Sequence, residues 1–185
     1  MTLAEQLRAS HVKRWHIVQT AREQTVAEHS FNVAVIAGSL AAGMRWGGLL
    51  VAQNKLSLLN WALTHDMIES ITGDVPTPFK KSLNAAAGYD VVAKAEDLVD
   101  REQMAQYRMI KGTVVESIVK IADLIEAIYF LSDNGIGTHA KSVNDLLRSQ
   151  LNELVDELEK LHPELAIRVA TRDVCRSLGF WGGVR

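Results

Sequence analysis

His65 and Asp66 set an imidazole beside a carboxylate within an apolar stretch that reads as helix. Adjacent helical side chains point about 100° apart, so both reach one point only if it lies just off the helix. Both groups ligate borderline divalent metals, which makes a metal ion the ordinary reason for that placement. The plain alternative is a core histidine next to a surface aspartate. Glu69 lies on the same face one turn along, at i+4 from His65 and i+3 from Asp66. A carboxylate there can orient a metal's water or take its proton, against the alternative of a solvated helix glutamate. His29 follows Thr25-Val26-Ala27-Glu28 among Val26, Phe31, Val33, Val35 and Ile36, where an imidazole needs a partner. Asp123 sits in a segment too apolar to offer much solvent face, and Glu116 already supplies Lys120 with a partner. Buried charges are normally paired or coordinate metals. His29, His65, Asp66 and Asp123 thus form a candidate set of nitrogen and oxygen donors from three helices. Such a set suits Zn²⁺, Mn²⁺, Co²⁺ or Fe²⁺ and leaves positions open for water and substrate. A closed structural zinc site would more often use cysteines, so this donor set points to catalysis.

Cations flank these residues. Lys13, Arg14 and Arg22 precede the His29 helix, and Lys80 and Lys81 follow a proline-rich loop. Arginine binds phosphate as a fork and lysine as a point charge, so an anion pocket is expected here. A solvated surface position is the alternative for each. Trp15 offers a face for a base or sugar, with core packing as its alternative.

The elements that must position these groups are helices. A first helix is expected near Leu3–Val12, then an irregular connection over Lys13–Gln24. Thr25-Val26-Ala27-Glu28 reads as a capping box opening a helix to about Ala42, ended by Gly43 and Gly47-Gly48. Lys55–Ser70 follows, with Leu56, Leu59, Trp61, Leu63 and Ile68 on its buried sides. Gly73-Asp74-Val75-Pro76-Thr77-Pro78 cannot continue a helix. Further helices are expected over Val91–Glu102 and Thr113–Leu131, with a turn at Asp133–Gly137 and a long helix over Lys141–Leu161. The tail, Leu178–Arg185 with Trp181, reads as surface or interface. No alternating strand and no internal repeat is evident, and the class is all-α.

Composition narrows the function. The 185 residues suffice for one domain, and 48% are hydrophobic. Twenty Lys plus Arg against twenty-two Asp plus Glu argue against a protein that grips a nucleic-acid backbone. Cys175, the single cysteine, rules out an internal disulfide and a multi-cysteine zinc site and suits a reducing compartment. The first residues lack the apolar run of a signal peptide. The longest apolar segment, Thr113–Leu131, is broken by Glu116, Lys120, Asp123 and Glu126, so no membrane span is expected. The expectation is a soluble, cytoplasmic, single-domain protein.

The order His29, His65-Asp66, Asp123 resembles the HD-domain metal phosphohydrolases. Arg14-Trp15, Val26-Ala27-Glu28-His29-Ser30, His65-Asp66-Met67-Ile68-Glu69 and Thr72-Gly73-Asp74-Val75-Pro76-Thr77-Pro78-Phe79-Lys80 are similar to its small-enzyme branch. That branch includes bacterial 5′-deoxynucleotidases and phage dATP triphosphohydrolases. The resemblance spans about residues 13–131 and implies a single compact HD-type helical bundle over residues 1–185. It implies that His29, His65, Asp66 and Asp123 hold Zn²⁺, Co²⁺ or Mn²⁺, with a second divalent cation such as Mg²⁺ as an option. Glu69 would activate water, and Asp74 would support the site. Arg14 and Lys80 would contact phosphate. Trp15, Ile17 and Pro78 would shape the nucleoside pocket, with Ile17 crowding the ribose 2′ position. Lys81 and Lys111 are the spare cations for a triphosphate. The implied reaction is attack at the α-phosphorus of a deoxynucleotide. The implied activity is dATP triphosphohydrolase, with 5′-deoxynucleotidase or a non-catalytic HD nucleotide-binding module as alternatives. The implied partners are a small-molecule deoxynucleotide and further copies of the chain, as dimer or hexamer, with no stable nucleic-acid complex and no membrane. The cytoplasm is a host's if the source is a phage.

Overall fold

Helix α2 (Val26–Gly43) and helix α8 (Val114–Asn134) lie against each other at the centre of the molecule. In this computed structural model, which describes residues 1–44 and 52–180, helix α3 (Ala52–Thr64) packs on both. Helix α9 (Gly137–Leu161) runs back along α8, and α10 (Ile167–Ser177) closes over α2 and α9. The shared core holds Val33, Leu40, Leu58, Ile121, Ile125 and Val155. Burying each such side chain contributes about 1.5–3 kcal/mol. Five further helices lie among the described residues, the first four being α1 (Leu3–Gln6), α4 (Glu69–Thr72), α5 (Thr77–Ala87) and α6 (Val91–Val99). Helix α7 (Arg101–Ile110) follows α6 directly, Asp100 capping its first N–H groups. The described residues contain no strand, only isolated bridges Lys13↔Thr25 and Thr20↔Gly135.

Several boundaries differ from expectation for identifiable reasons. Thr25 caps α2 through the Glu28 N–H, but the Glu28 carboxylate turns to Arg22, so the capping box is half made. The complete box is at Thr2 and Glu5. The first helix stops at Gln6 and tightens into a 3₁₀ turn over Leu7–Ser10. The expected helix Lys55–Ser70 ends at Thr64, and Leu56 and Leu63 are exposed because its buried stripe runs through Leu58 and Ala62. Pro78 belongs to the first turn of α5, where the missing N–H costs nothing. The expected helix Val91–Glu102 is split at Asp100, α8 extends to Asn134, and α9 begins at Gly137. Gly47-Gly48 and Trp181 lie outside the described residues.

The irregular segment Lys13–Gln24 is pinned at both ends. Arg14 N–H donates to the Gln24 carbonyl at 2.9 Å, and Ala21 N–H reaches the Asn134 carbonyl at 2.7 Å. Ile136 N–H donates to the Gln19 carbonyl at 2.9 Å, across the close turn at Gly135. A Cβ at Gly135 would stand 2.6 Å from the Leu131 carbonyl oxygen, so only glycine fits. No helix among the described residues is long and apolar enough to cross a membrane.

Candidate active site

His65 and Asp66 sit at a break in the helical chain. The last α-type bond of α3 runs from His65 N–H to the Trp61 carbonyl at 2.8 Å. Beyond it the chain tightens, with i→i−3 bonds from Met67, Glu69 and Ser70. Gly73, at φ 73°, then ends α4 in a left-handed conformation that favours glycine. Gln103 of α7 donates its amide to the Thr64 carbonyl, tying the outer helices to this break.

Three donor atoms converge there, with a fourth beside one of them. His29 Nε2 lies 3.3 Å from His65 Nε2, 3.5 Å from Asp66 Oδ2 and 3.2 Å from Asp123 Oδ1. His65 Nε2 lies 3.5 Å from Asp66 Oδ2. Ligand atoms about 2.1 Å from one tetrahedral centre stand about 3.4 Å apart, which matches this spacing. The protonation pattern agrees. His29 Nδ1 is 2.7 Å from Glu126 Oε2, and His65 Nδ1 is 2.9 Å from the Ala62 carbonyl. Both partners only accept, so each Nδ1 carries a proton, which leaves each Nε2 as the ring atom open to a metal. Two Nε2 atoms beside two carboxylates call for positive charge between them, a proton on His29 in the metal-free site or a metal ion in its place. The donor set therefore fits a divalent transition metal. His29, His65 and Asp66 form the tight trio, and Asp123 joins through His29.

Electrostatics follow from the same crowding. Burial and the Arg14 charge push the His29 pKa down, but hydrogen bonds to Asp123 and Glu126 outweigh them and hold it at about 9. Asp123 is held well below the usual carboxylate range because its hydrogen bond to His29 and the neighbouring cations outweigh burial. Asp66 is likewise depressed, by His65, Arg14 and His29 against burial. Glu69 goes the other way. It is buried, and burial together with the Asp66 and Asp74 charges raises it to about 8. Its Oε1 is 3.4 Å from Lys80 Nζ, while its buried Oε2 has no hydrogen-bond partner. An unpaired buried carboxylate oxygen is costly, as expected of an atom kept for a reacting group.

The metal-free site sets a stability profile. His29 is raised from 6.5 to about 9, so its contribution is full below pH 6.5 and is lost as pH rises through 9. Glu69, raised from 4.5 to about 8 by burial first, also favours the fold while protonated and is lost upward through pH 8. The depressed aspartates lose their contributions only at acid pH, outside this window. The metal-free chain is expected to melt at steadily lower temperature between about pH 6 and 9. A melting temperature that climbs across that range would contradict the arrangement.

The remaining expected residues are distributed unevenly. Arg14 is at the site, its Nη1 donating to Asp66 Oδ2 at 2.9 Å. Trp15 is half-buried, stacked on Phe130 at 5.9 Å and 2° between planes, and adopts φ 66°. That backbone conformation in a bulky residue costs about 1–3 kcal/mol and is typical of functional sites. Ile17 and Pro78 are exposed, and Asp74 is half-buried. Lys13 pairs with Glu23 and Arg22 with Glu28, which removes both from the expected anion pocket. Lys81 is exposed, and Lys111 lies over the Tyr107 ring. His65 and Lys80 also border a cavity of about 510 Å³ with Trp61, Glu96, Gln103 and Tyr107. Reading the sequence missed Glu126, Gln24 and Asn32, although Glu126 stands three residues from Asp123 on the same helical face.

An all-α bundle that gathers His, His-Asp and Asp donors around one point defines an HD-type metal phosphohydrolase. The profile of the family described as 5′-deoxynucleotidase YfbR-like matches residues 3–155, and the chain belongs to that family. A dATP triphosphohydrolase of Salmonella phage PMBT28 is 36% identical over 163 residues, covering 83% of this chain and 79% of that protein. A 5′-deoxynucleotidase YfbR of Salmonella newport is 42% identical over 71 residues, 37% of this chain and 34% of that one. The Cyanophage S-2L HD phosphohydrolase DatZ, solved with dA and one catalytic Zn²⁺, superposes with a TM-score of 0.74 at 27% identity, over 97% of this chain and 95% of that one.

Proposed function

We propose that the chain hydrolyses 2′-deoxynucleotides at the α-phosphorus, converting dATP and water to deoxyadenosine and triphosphate. The observation that carries this is the grouping of His29, His65 and Asp66 at 3.3–3.5 Å, with Asp123 3.2 Å from His29, and the unpaired, buried Glu69 Oε2 on the same helical stretch as His65 and Asp66. A divalent cation held by these four residues would supply Lewis acidity, making a water acidic and neutralising phosphoryl oxygens. Glu69 takes the proton of the attacking water. Its raised pKa, about 8, gives it the basicity for that task at neutral pH once a cation favours the ionised form. Arg14 holds Asp66 and supplies a fixed positive charge toward the phosphate. Lys80, beside Glu69, offers a second cation to the leaving polyphosphate. Trp15 lies beside Arg14 and would present its ring to the nucleoside, with Ile17 and Pro78 shaping the pocket around sugar and base. Asp74 keeps Glu69 basic by repulsion.

Triphosphate as substrate is supported by the length of the similarity. The phage enzyme matches along 83% of the chain, the 5′-deoxynucleotidase along 37%. The family's description supports the second reading, release of phosphate from deoxynucleoside monophosphates. A single domain over residues 1–185, a dimer or hexamer of this chain and action in a host cytoplasm belong to the same proposal. The purified protein, with Co²⁺ or Mn²⁺ and each deoxynucleotide as mono- and triphosphate, is expected to yield deoxyadenosine and intact triphosphate from dATP by chromatography and phosphorus NMR. Phosphate from monophosphates alone would establish the second reading, and no turnover with any metal would leave a nucleotide-binding module.

A further inference from the structure

Behind His29 lies a continuous buried hydrogen-bond chain that the reaction itself does not use. The Trp15 indole N–H donates to Gln24 Oε1 at 2.8 Å. Gln24 Nε2 donates to Glu126 Oε1 at 2.6 Å, and Asn32 Nδ2 reaches the same oxygen at 3.2 Å. The other oxygen, Glu126 Oε2, accepts from His29 Nδ1 at 2.7 Å. Gln24, Glu126 and His29 are all fully buried. An indole N–H only donates and a carboxylate only accepts, so the Gln24 amide has one possible orientation. Helix α8 carries Asp123, Glu126 and Phe130 at i, i+3 and i+7 on one face. One helical face thus meets the metal site, the back of His29 and the ring of Trp15.

We infer that Gln24 and Glu126 are positioning residues, which hold the strained Trp15 platform and the Nε2 lone pair of His29 as one hydrogen-bonded unit. Glu126 fixes the His29 tautomer, and Gln24 passes that constraint to Trp15. The backbone at Trp15 is kept at positive φ by the same link and by the stack on Phe130. This inference rests on the metal reading of the site.

Direct titration with Co²⁺, followed by visible absorption and paired with melting curves, tests it. In Glu126→Gln the introduced amide faces two donors, Gln24 and Asn32, so its oxygen turns to them and its NH₂ turns to His29. That places donor against donor and drives the His29 proton to Nε2, where the metal must bind. Affinity for Co²⁺ should fall about 10–100-fold. The swap Gln24→Glu with Glu126→Gln restores complementarity: the amide oxygen accepts from His29, its NH₂ donates to the carboxylate at position 24 and to the Asn32 amide oxygen once that side chain turns over, and the carboxylate accepts from Trp15. Most of the lost affinity should return, although charge and composition equal those of the native chain. Gln24→Leu, which cuts the Trp15 limb and one donor to Glu126 Oε1 but leaves the Glu126–His29 bond and Asn32 in place, should raise the KM for deoxynucleotide more than it lowers kcat. Unchanged Co²⁺ affinity in Glu126→Gln would overturn the inference. So would a loss that the swap fails to recover at a native melting temperature. A native chain that takes up no Co²⁺ would instead overturn the metal reading.

Discussion

Glu69→Gln is expected to lower kcat by about 10²–10⁴-fold, the usual contribution of a positioned base. The substitution keeps the shape of the side chain and leaves His29, His65, Asp66 and Asp123 untouched, so metal content should stay at the native level. It also removes a carboxyl group that the fold holds at about pKa 8, chiefly through burial and then through Asp66 and Asp74. A neutral amide there carries no such penalty, so the variant should melt higher than the native metal-free protein above pH 8. Loss of rate with gain of stability is what a group kept in an unfavourable place for chemistry would show. The pH profile adds a third readout. A bound cation favours the ionised form, so kcat/KM should rise with a midpoint at or below about 8, and that limb should vanish in the variant. A variant that turns over at the native rate would remove Glu69 as the base and leave its unpaired oxygen unexplained.

Residue types alone pointed to the four candidate donors; the structure groups His29, His65 and Asp66 and sets Asp123 against His29. The reasoning behind Asp123 was only partly right. Its side chain is 40% exposed, and the fully buried acid of that helix is Glu126. Two acids three residues apart share a helical face, and nothing local says which one meets the core. The residue that decides is Gln24, 102 positions away in an irregular loop. The helix break at His65 was equally hidden, because the apolar spacing continues through Met67 and Ile68 while the bonding switches to i→i−3. Helix α5 escaped notice for a different reason. It begins at Thr77 with Pro78 in its first turn, inside a proline-rich stretch that reads as a break, and it buries none of its residues. Yet it carries Lys80 to Glu69. Helix α10 buries Ile167, Ala170, Thr171 and Cys175 at helical spacing, a clear stripe among its charges that was legible and passed over. The positions that determine the chemistry were therefore more legible than the elements that deliver them.

Metal affinity is expected to climb steeply with pH and then level off. A ligating imidazole must be deprotonated at the binding nitrogen, so each cation bound below the pKa of His29 displaces a proton. That pKa stands at about 9 in the metal-free site, because the hydrogen bonds to Asp123 and Glu126 outweigh burial and Arg14. Well below it, apparent affinity should rise about tenfold per pH unit, which gives about fiftyfold between pH 7 and 9, and flatten above. The direction follows from competition: the carboxylates that attract the metal also attract the proton it replaces. Asp123 and Asp66 stay ionised throughout this range and add no slope. Zn²⁺ titrations with a competing chelator at several pH values measure the slope, and the protons released into a weakly buffered solution measure it independently. Asp123→Asn should weaken binding by removing an anionic donor, yet it should also shift the plateau to lower pH, since His29 loses one of the two carboxylates that hold its proton. Affinity independent of pH between 6 and 9 would mean that His29 is not the ligand, and the donor set would have to be redrawn around His65 and Asp66.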